Sequence, residues 1–403
     1  VRLFDGGELQ DDIMRLLLLN MRLPAERKGD LNAQIAAAKL GNQRISEFLE
    51  THGADYTVRL FDEIVRRTNR RMRAAIEKLP NGSYSFSDVM DDDGAGTEDI
   101  LITLKITKSD HDIFFDFTGS DDQVLGNFNL TFNATQSAVC YALKALLDPE
   151  VPNNQGIFDA IRIEAPPGSF VNCVSPAPVA MRANTCQRVV DVVIGALAEA
   201  LPDQVVGAAN GANTSAVFSG IDPRTSQQYV YLETLGGGMG ARATKDGKDG
   251  VQVNITNTSN LPVEAIEMEY PLRVEDYALI ADSGGAGKHR GGMGIRRSIR
   301  PVGHTCEFNG VGERFRNQPW GIFGGQSGAA GMFEMVDCKG NTTSLSSKAS
   351  RVKLSPDARV VISTPGAGGY GAPEDRKPEA LAEDQASGKF TKGFLASNYA
   401  RKD

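Results

Sequence analysis

The segment PAPVAMRANTCQRVVD, residues 176–191, combines residue types that suit the binding of an anion or a carbonyl group. Its two prolines favour extended backbone, and Arg182, Asn184 and Thr185 follow where a helix is expected to begin. A helix N-terminus, a planar guanidinium and a hydroxyl together suit a phosphate or a carboxylate. The structural alternative is that Asn184 or Thr185 caps the helix and Arg182 pairs with a surface acid.

A second polar segment, NITNTSNLPVEAIEMEYPLRV, occupies residues 254–274. Its amides and carboxylates belong to Asn254, Asn257, Asn260, Glu264 and Glu267. Clustered amides suit a polar substrate, but they equally suit a loop rich in turns. We take Asn257 and Asn260 as candidate substrate-binding residues, together with the three polar residues of the first segment.

Two glycine-rich segments have the composition of phosphate-binding loops, GGGMGARA at 236–243 and DSGGAGKHRGGMGIRR at 282–297. The second lacks the Walker spacing, because His289 stands where a Ser or Thr would bind Mg²⁺. The first fits a dinucleotide pattern after an apparent strand, yet TKDGKDG follows it in place of a helix. Turns that require glycine and pack against a substrate or a partner are therefore favoured.

The histidines and acidic residues indicate no complete metal site. The four histidines are scattered, without the paired spacing that a zinc or manganese site usually needs. The acidic run at 91–93 misses the calcium-loop pattern, because Ala95 occupies the third ligand position. A turn is predicted there, and no metal ligand is assigned.

The five cysteines form no CxxC pair, a pattern typical of a reducing compartment. Cys140 and Cys186 lie in apolar helical patterns and are interpreted as core residues. No G-x-S-x-G motif is present either. The catalytic residues therefore stay unknown from the sequence.

Composition describes an ordinary globular chain, with 403 residues, 41% hydrophobic and 23% charged. A net charge of −8 argues against nucleic acid or an anionic membrane as the main partner. The basic run at 66–78 is interpreted as a solvated helix face, with docking to an acidic subunit as the alternative. The most apolar run, IMRLLLLNM, is too short to cross a membrane, and without a signal peptide the expected location is the cytoplasm.

Periodicity predicts an α+β protein with an N-terminal helical layer, a mixed antiparallel centre and a Gly-rich, β-dominated C-terminal half. The predicted parts are a helical segment at 1–80, a mixed α/β region with an antiparallel meander at 81–210, a β-rich region at 211–372 and a tail at 373–403. The first helix is expected from residue 7, and the central helices at about 127–147 and 184–200.

Seven blocks in order over about 116–373 strongly resemble the hydantoinase B/5-oxoprolinase family. They read DFTGSDDQVLGNFN, VPNNQGIFDAIRIEAPPGSFVN, PAPVAMRANTCQRVVDVVIGALAEALP, GGGMGARATKDGKDG, TNTSNLPVEAIEMEYPLRVEDYALIADSGGAGKHRGGMGIRR, WGIFGGQSGAAG and TPGAGGYGAP. Their number and order make the resemblance far more specific than any short motif.

The resemblance implies a division of labour between two subunits. A partner of the hydantoinase A type, with an actin-like ATPase fold, binds ATP and Mg²⁺ and phosphorylates the substrate's oxygen. The B-type part takes the activated small molecule onward, to ring opening by water in hydantoinases, oxoprolinases and lactamases, or to carboxylation in acetone and acetophenone carboxylases.

Members of the family also carry a further region before the helices, and their acidic and histidine metal ligands belong to it. Ligands for a divalent metal such as zinc or manganese are therefore expected outside residues 1–403, in a separate chain or in a segment missing from this sequence. Because the chain opens with Val1, a processed or truncated product is one interpretation.

Three interpretations of the function stay open at this stage. The first is a subunit of an ATP-dependent cyclic-amide hydrolase that opens a hydantoin or lactam ring. The second is a subunit of an ATP-dependent ketone carboxylase. The third is a structural half that holds the active subunits together.

Overall fold

The structure is a computed structural model, and it describes residues 1–399. Residues 400–403, the end of the predicted tail, lie outside the described part. Helices and mostly antiparallel sheets in the described chain confirm the predicted α+β class. Across residues 1–399, no helix has both the length and the apolar character to cross a membrane.

The α-helices follow one another along the described chain. They are α1 (Asp11–Leu19), α2 (Pro24–His52), α3 (Ala54–Ile76), α4 (Phe132–Leu147), α5 (Gln155–Phe158), α6 (Arg182–Ala196), α7 (Val263–Glu269), α8 (Pro378–Ala386) and α9 (Lys392–Asn398). A short 3₁₀-helix at Pro373–Asp375 precedes α8.

The strands belong to one small hairpin and three larger sheets. They are β1 (Phe4–Asp5), β2 (Glu8–Leu9), β3 (Gly82–Asp92), β4 (Glu98–Ser109), β5 (Asp112–Asp116), β6 (Arg162–Glu164), β7 (Thr214–Ile221), β8 (Gln228–Leu235), β9 (Leu272–Leu279), β10 (Ile295–Pro301), β11 (Cys306–Val311), β12 (Met332–Val336), β13 (Thr342–Leu345), β14 (Val352–Leu354) and β15 (Arg359–Ser363).

The first N-terminal helix begins later than predicted. The helix expected from residue 7 begins at Asp11, because the preceding residues form the β1–β2 hairpin, whose turn needs the positive φ angles of Gly6 and Gly7. α2 begins at a proline and ends at Gly53, as predicted. None of the residues of α2 is buried, whereas the second half of α3 packs into the core.

The first core lies between a four-stranded sheet and the helices α4 and α6. The strand order is β3-β4-β5-β6, and the antiparallel meander of β3, β4 and β5 confirms the prediction. Ile100, Ile102, Leu104 and Ile106 alternate along β4 and point into this core. The first central helix, α4, begins at Phe132, later than predicted, and ends at Leu147 as predicted, whereas α6 begins and ends before the predicted limits, at Arg182–Ala196.

The second core lies between two antiparallel sheets, ordered β13-β12-β15-β10-β9 and β14-β11-β7-β8. Phe218, Phe308 and Phe333 fill the space between them, with ring centroids 5.1 and 5.8 Å apart. A smaller cluster joins the tail to the glycine-rich loops through Phe390 and Tyr399. The four-part division at residues 80, 210 and 372 stays a prediction.

The glycine-rich segments pack backbone against backbone. A Cβ built on Gly240 would lie 1.8 Å from the carbonyl oxygen of Gly207, and one built on Gly366 would lie 1.8 Å from that of Ser283. No helix follows residues 236–243, where the chain instead makes short bridges. Glycine is required here because the protein's own loops cross at contact distance.

Candidate functional site

The structure brings the two polar segments of the sequence together beside the N-terminal half of α6. We call Asn184, Gln187, Asn213 and Thr256 the amide cluster, and residues 253–260 the asparagine loop. Asn184 and Gln187 lie one turn apart on α6 and therefore share a face of the helix. Thr256 belongs to the asparagine loop, and Asn213 immediately precedes β7.

Gln187 is the central residue of the amide cluster, because its side chain contacts both Asn213 and Thr256. The two N–H groups of its Nε2 are shared among three acceptors, Oδ1 of Asn213 at 3.1 Å, the carbonyl oxygen of Val253 at 3.0 Å and Oγ1 of Thr256 at 2.9 Å. The hydroxyl of Thr256 donates to Oδ1 of Asn213, whose backbone N–H donates to Oδ1 of Asn184 at 2.9 Å. Because Gln187 is fully buried, this network fixes the asparagine loop against α6.

Several buried polar atoms around the amide cluster have no hydrogen-bond partner in the described chain. They are Oε1 of Gln187, Oγ1 of Thr214 and Nδ2 of Asn254. Buried polar groups are almost always hydrogen-bonded, to protein or to ordered water. These atoms can accept from or donate to water or a polar ligand that enters this region.

Arg182 does not join the amide cluster. Gln187 lies five positions further along α6, so the 3.6-residue repeat of a helix turns the side chain of Arg182 to another side of the helix. It lies near Cys186, where burial raises the pKa of the thiol to about 11 while the Arg182 charge opposes that rise. Arg182 is exposed, and no acidic side chain pairs with it in the part of the chain described. The ion-pair alternative therefore finds no support.

Asn184 and Thr185 are buried and already bonded within the protein. The hydroxyl of Thr185 donates to the carbonyl oxygen of Phe128 at 2.6 Å, and Asn184 accepts from Asn213. The expectation that one of them caps the helix is wrong, because α6 begins at Arg182 and its N-cap, Met181, forms no side-chain cap. Both residues hold the surrounding backbone in place.

Asn257 and Asn260 differ in how much they are exposed. Asn257 is exposed near the tip of the asparagine loop. Asn260 is half-buried, and its Nδ2 donates to the hydroxyl of Tyr277. The ring of Tyr277 in turn covers the buried guanidinium of Arg297, which lies 4.0 Å from the ring centroid. The loop is therefore held at both ends, and Asn257 is free between them.

A buried ion network begins one turn further along α6. Nη2 of Arg314 lies 2.8 Å from Oδ2 of Asp88 and 2.9 Å from Oδ2 of Asp191, and Nη1 of Arg188 lies 3.1 Å from Oδ1 of Asp88. Burial alone would raise the pKa of Asp88, but the two guanidinium groups hold it well below its usual range. Burial raises the pKa of Asp191 and of Glu313 despite their cationic neighbours.

This ion network joins the two cores, since it links β3, α6 and the segment that follows β11. Asp91 strengthens the same junction by accepting backbone N–H bonds from Phe315 at 2.6 Å and from Asn317 at 3.0 Å. The turn predicted at residues 91–93 begins later than expected, because Asp91 and Asp92 end β3 and the turn to β4 starts at Asp93. Asp93 accepts from the backbone N–H groups of Ala95 and Thr97 in that turn.

Sequence reasoning missed Gln187, Asn213 and Asp88. The position of Gln187, three residues after Asn184, was a usable signal for a shared helix face. Asn213 and Asp88 carried no local signal, because their partners lie 26 and 100 positions away along the chain.

The cysteines behave as the sequence indicated. Cys140, Cys186 and Cys306 are buried, and burial raises the pKa of Cys140 to about 12 and of Cys306 to about 11. Thiols of this kind are poor nucleophiles at neutral pH. Within residues 1–399, no three His, Cys, Asp or Glu side chains form a group able to hold a metal ion.

Comparison with known proteins gives a consistent result. The family model "Hydantoinase B/oxoprolinase" matches residues 1–373. The B-type subunit of a putative D-/L-hydantoinase from Pseudomonas sp. (strain NS671) is 34% identical over 407 residues, a match that covers 97% of this chain and 68% of that protein. The chain thus spans about two thirds of this relative.

Two solved structures share the fold. The ATP-dependent caprolactamase of Pseudomonas jessenii matches with a TM-score of 0.91 and 26% identity, over 99% of this chain and 70% of that chain. An acetone carboxylase matches with a TM-score of 0.86 and 17% identity, over 99% of this chain and 60% of that one. At that identity, the carboxylase match concerns the fold alone.

Proposed function

Since the chain belongs to the hydantoinase B/oxoprolinase family, we propose that it forms the C-terminal part of a B-type subunit in an ATP-dependent hydrolase of cyclic amides. The observation that carries this proposal is the match of almost the whole chain to the caprolactamase chain, at a TM-score of 0.91. The substrate class is a hydantoin or a lactam, whose ring is opened at a C–N bond.

The proposed reaction needs a partner because an amide is stabilised by resonance between its nitrogen and its carbonyl group. An ATPase subunit of the hydantoinase A type, with ATP and Mg²⁺, would phosphorylate the carbonyl oxygen and make the carbonyl carbon more electrophilic. The B-type subunit then binds this activated ring while water adds to that carbon, the C–N bond breaks with the ring nitrogen leaving as an amine, and a second water releases the phosphate from the carboxyl group. This chain's part of that task is binding and positioning.

A catalytic zinc or manganese ion does not fit the described residues, because they contain no group of three suitable ligands. No step is therefore assigned to a metal bound by this chain. We place the expected metal ligands in the region that longer relatives carry outside the match, whether on the same polypeptide or on a separate one.

Within this chain, two of the candidate binding residues are free to contact a ligand. Arg182 is exposed and pairs with no acidic side chain in the described chain, and its Nη1 donates only to the carbonyl oxygen of Val179, at 3.4 Å. Its guanidinium lies at the N-terminal end of α6, which favours anions. Asn257 is exposed in the asparagine loop. Asn184, Thr185 and Asn260 are positioning residues in this proposal, because their side chains already bond within the protein.

The proposal is tested by assembling the chain with the A-type subunit and the remaining B-type region. ADP release is measured with hydantoins and lactams as candidate substrates, and the ring-opened product is identified by mass spectrometry. Stoichiometric ADP and ring-opened product in the absence of bicarbonate are expected. ADP release that requires bicarbonate and a ketone would instead identify a carboxylase, the alternative that the shared fold allows.

The third interpretation, a structural half without binding residues, is tested on the same assembly. Substitution of Arg182 and Asn257 by alanine is expected to reduce turnover, and full activity of the double variant would favour the scaffold. A cytoplasmic location and the absence of nucleic-acid partners stay predictions from composition.

A further inference from the structure

A cavity opens between α4 and the segment at residues 149–158, which includes α5. Its volume is about 630 Å³, within the range of about 300–1,000 Å³ that small-molecule sites occupy. Apolar atoms form most of its lining, and it shares no residue with the amide cluster or the asparagine loop. The cavity therefore has the size and the walls of a site for a small, mostly apolar molecule.

The wall formed by residues 149–158 is held against α3 at two points. Where the segment starts, Nη2 of Arg71 donates to Oδ1 of Asp148 at 2.6 Å. Further along, Nδ2 of Asn154 donates to Oγ1 of Thr68 at 2.9 Å. Because both anchors lie on α3, which also packs against α5, this wall stays apart from α4 and the cavity is preformed.

The body of the cavity is apolar on both sides. One face of α4 contributes Cys140 and Tyr141, and the opposite wall contributes Ile157 and Phe158. Burial raises the pKa of the Cys140 thiol to about 12, so this side chain stays neutral and acts as part of an apolar wall. These surfaces favour a ligand with an apolar body, because the removal of apolar surface from water is favourable.

Lys144 supplies the charge of the cavity. Among the described residues that line it, Lys144 is the one cation, and none is an aspartate or a glutamate. Its Nζ donates to Oδ1 of Asn153 at 2.9 Å, a bond that orients the ammonium and leaves two of its three N–H groups for a ligand. An oriented ammonium beside an apolar cavity complements a ligand with a single negative charge.

We propose that this cavity binds a small monocarboxylic acid with an apolar body. The carboxylate lies against Nζ of Lys144, and the apolar part packs between Tyr141 and Phe158. A dicarboxylate fits less well, because its second charge would lie against an apolar wall without a cationic partner. The site is independent of the function proposed above, since none of the residues assigned to substrate binding lines it.

Isothermal titration calorimetry of the whole chain tests the site with two matched probes, hydrocinnamate and hydrocinnamyl alcohol, which differ only in the charged group. One molecule of the acid is expected to bind per chain, about tenfold more tightly than the alcohol, because a hydrogen bond between charged groups is stronger than one to a neutral hydroxyl. Lys144→Met keeps the apolar stem but loses the ammonium, so it should bind both probes equally. Lys339→Met, at an exposed lysine outside the cavity, is the control and should keep the preference. Absence of binding, or a Lys144→Met variant that still prefers the acid, would overturn the proposal.

Filling the cavity tests where the acid binds. Ala145 lines the cavity from an exposed position on α4, so Ala145→Trp is expected to fill it and to abolish binding of both probes. Asn133→Trp, at an exposed position of α4 that does not line the cavity, is the matched control and should bind like the unaltered chain. Equal thermal midpoints would show that both variants are folded.

The titration is then repeated after addition of the A-type subunit, and undiminished binding of hydrocinnamate is expected. Loss of binding on this addition would show that a protein segment occupies the cavity in place of a small acid. Binding that survives Ala145→Trp would place the acid elsewhere on the chain. Either result would reject the proposal.

Discussion

Gln187 on α6 and Thr256 in the asparagine loop are joined by a hydrogen bond of 2.9 Å across 69 positions of sequence. The bond ties the two polar segments that the sequence singled out into one site. It also makes the position of the exposed Asn257, one residue further on, depend on a buried amide in the helix.

Replacing Gln187 by leucine should therefore loosen the loop and destabilise the protein. The substitution removes the donor shared by Asn213, Val253 and Thr256, and buried acceptors left without a partner cost about 1–3 kcal/mol. Chemical denaturation measures the change. Asn257→Ala, on the exposed part of the loop, is the control and should leave the unfolding midpoint where it was; an equal loss in both variants would contradict the argument.

Replacing Asp88 by asparagine should have a larger effect. The variant leaves Arg188 and Arg314 buried with fewer acidic partners, and breaking a buried ion pair in this way costs about 3–5 kcal/mol. The measurement is the free energy of unfolding in urea. Asp99→Asn breaks an exposed pair with Arg316 and serves as the control; a loss of stability no greater than that of the control would argue against the network.

The same carboxylate should make stability depend on pH in the acidic range. Its pKa in the folded protein is lowered by Arg188 and Arg314, so its stabilising contribution is complete above the unfolded value of about 3.9 and is lost as the pH falls toward the folded pKa. The difference in stability between the wild type and Asp88→Asn should shrink from pH 5 to pH 2. A difference that stays constant for Asp88→Asn over this pH range would refute the linkage.

Arg182→Lys should lower turnover in the assembled enzyme while leaving the fold intact. Lysine keeps the charge but loses the planar, two-pronged donor, and a lost charged hydrogen bond of about 1.5–3 kcal/mol corresponds to one to two decades in rate. Steady-state kinetics and thermal unfolding are measured together. Arg67→Lys, at another exposed arginine, is the control. Normal turnover of Arg182→Lys would reject a binding role.

The purified chain alone should show neither ATP turnover nor amide hydrolysis. The glycine-rich segments that most resemble phosphate loops are packed against the chain's own backbone, and residues 1–399 hold no group of metal ligands. A coupled ADP assay and product analysis check this. ATP hydrolysis at a rate that an added A-type subunit does not change would contradict the expectation.

Local pattern was sufficient for much of the fold. The alternation of Ile100, Ile102, Leu104 and Ile106 predicted β4, because successive side chains of a strand point to opposite faces and one face was apolar. Gly53 predicted the end of α2, because glycine is common directly after the last residue of a helix. Helix starts were less certain, since α6 begins two residues before the expected cap and without any side-chain cap.

The sequence alone identified some residues of the candidate site but not how they are grouped. The asparagines and Arg182 could be selected because their types suit polar ligands, and the family resemblance could be read from seven blocks in order. The sequence did not show which of these side chains lie side by side. The 3.6-residue repeat of α6 places Asn184 and Gln187 on one face of the helix and Arg182 on another.

The sequence by itself thus determined the elements, the buried thiols and the family, since each of these rests on neighbours in the chain or on ordered blocks. The tertiary structure decided the partners of Gln187 and Asp88, and it showed that the glycine-rich loops pack against one another's backbone. Asp88 and Arg314 are separated by 226 positions. No local pattern encodes such a pairing, because it exists only after β3, α6 and the segment beyond β11 have packed together.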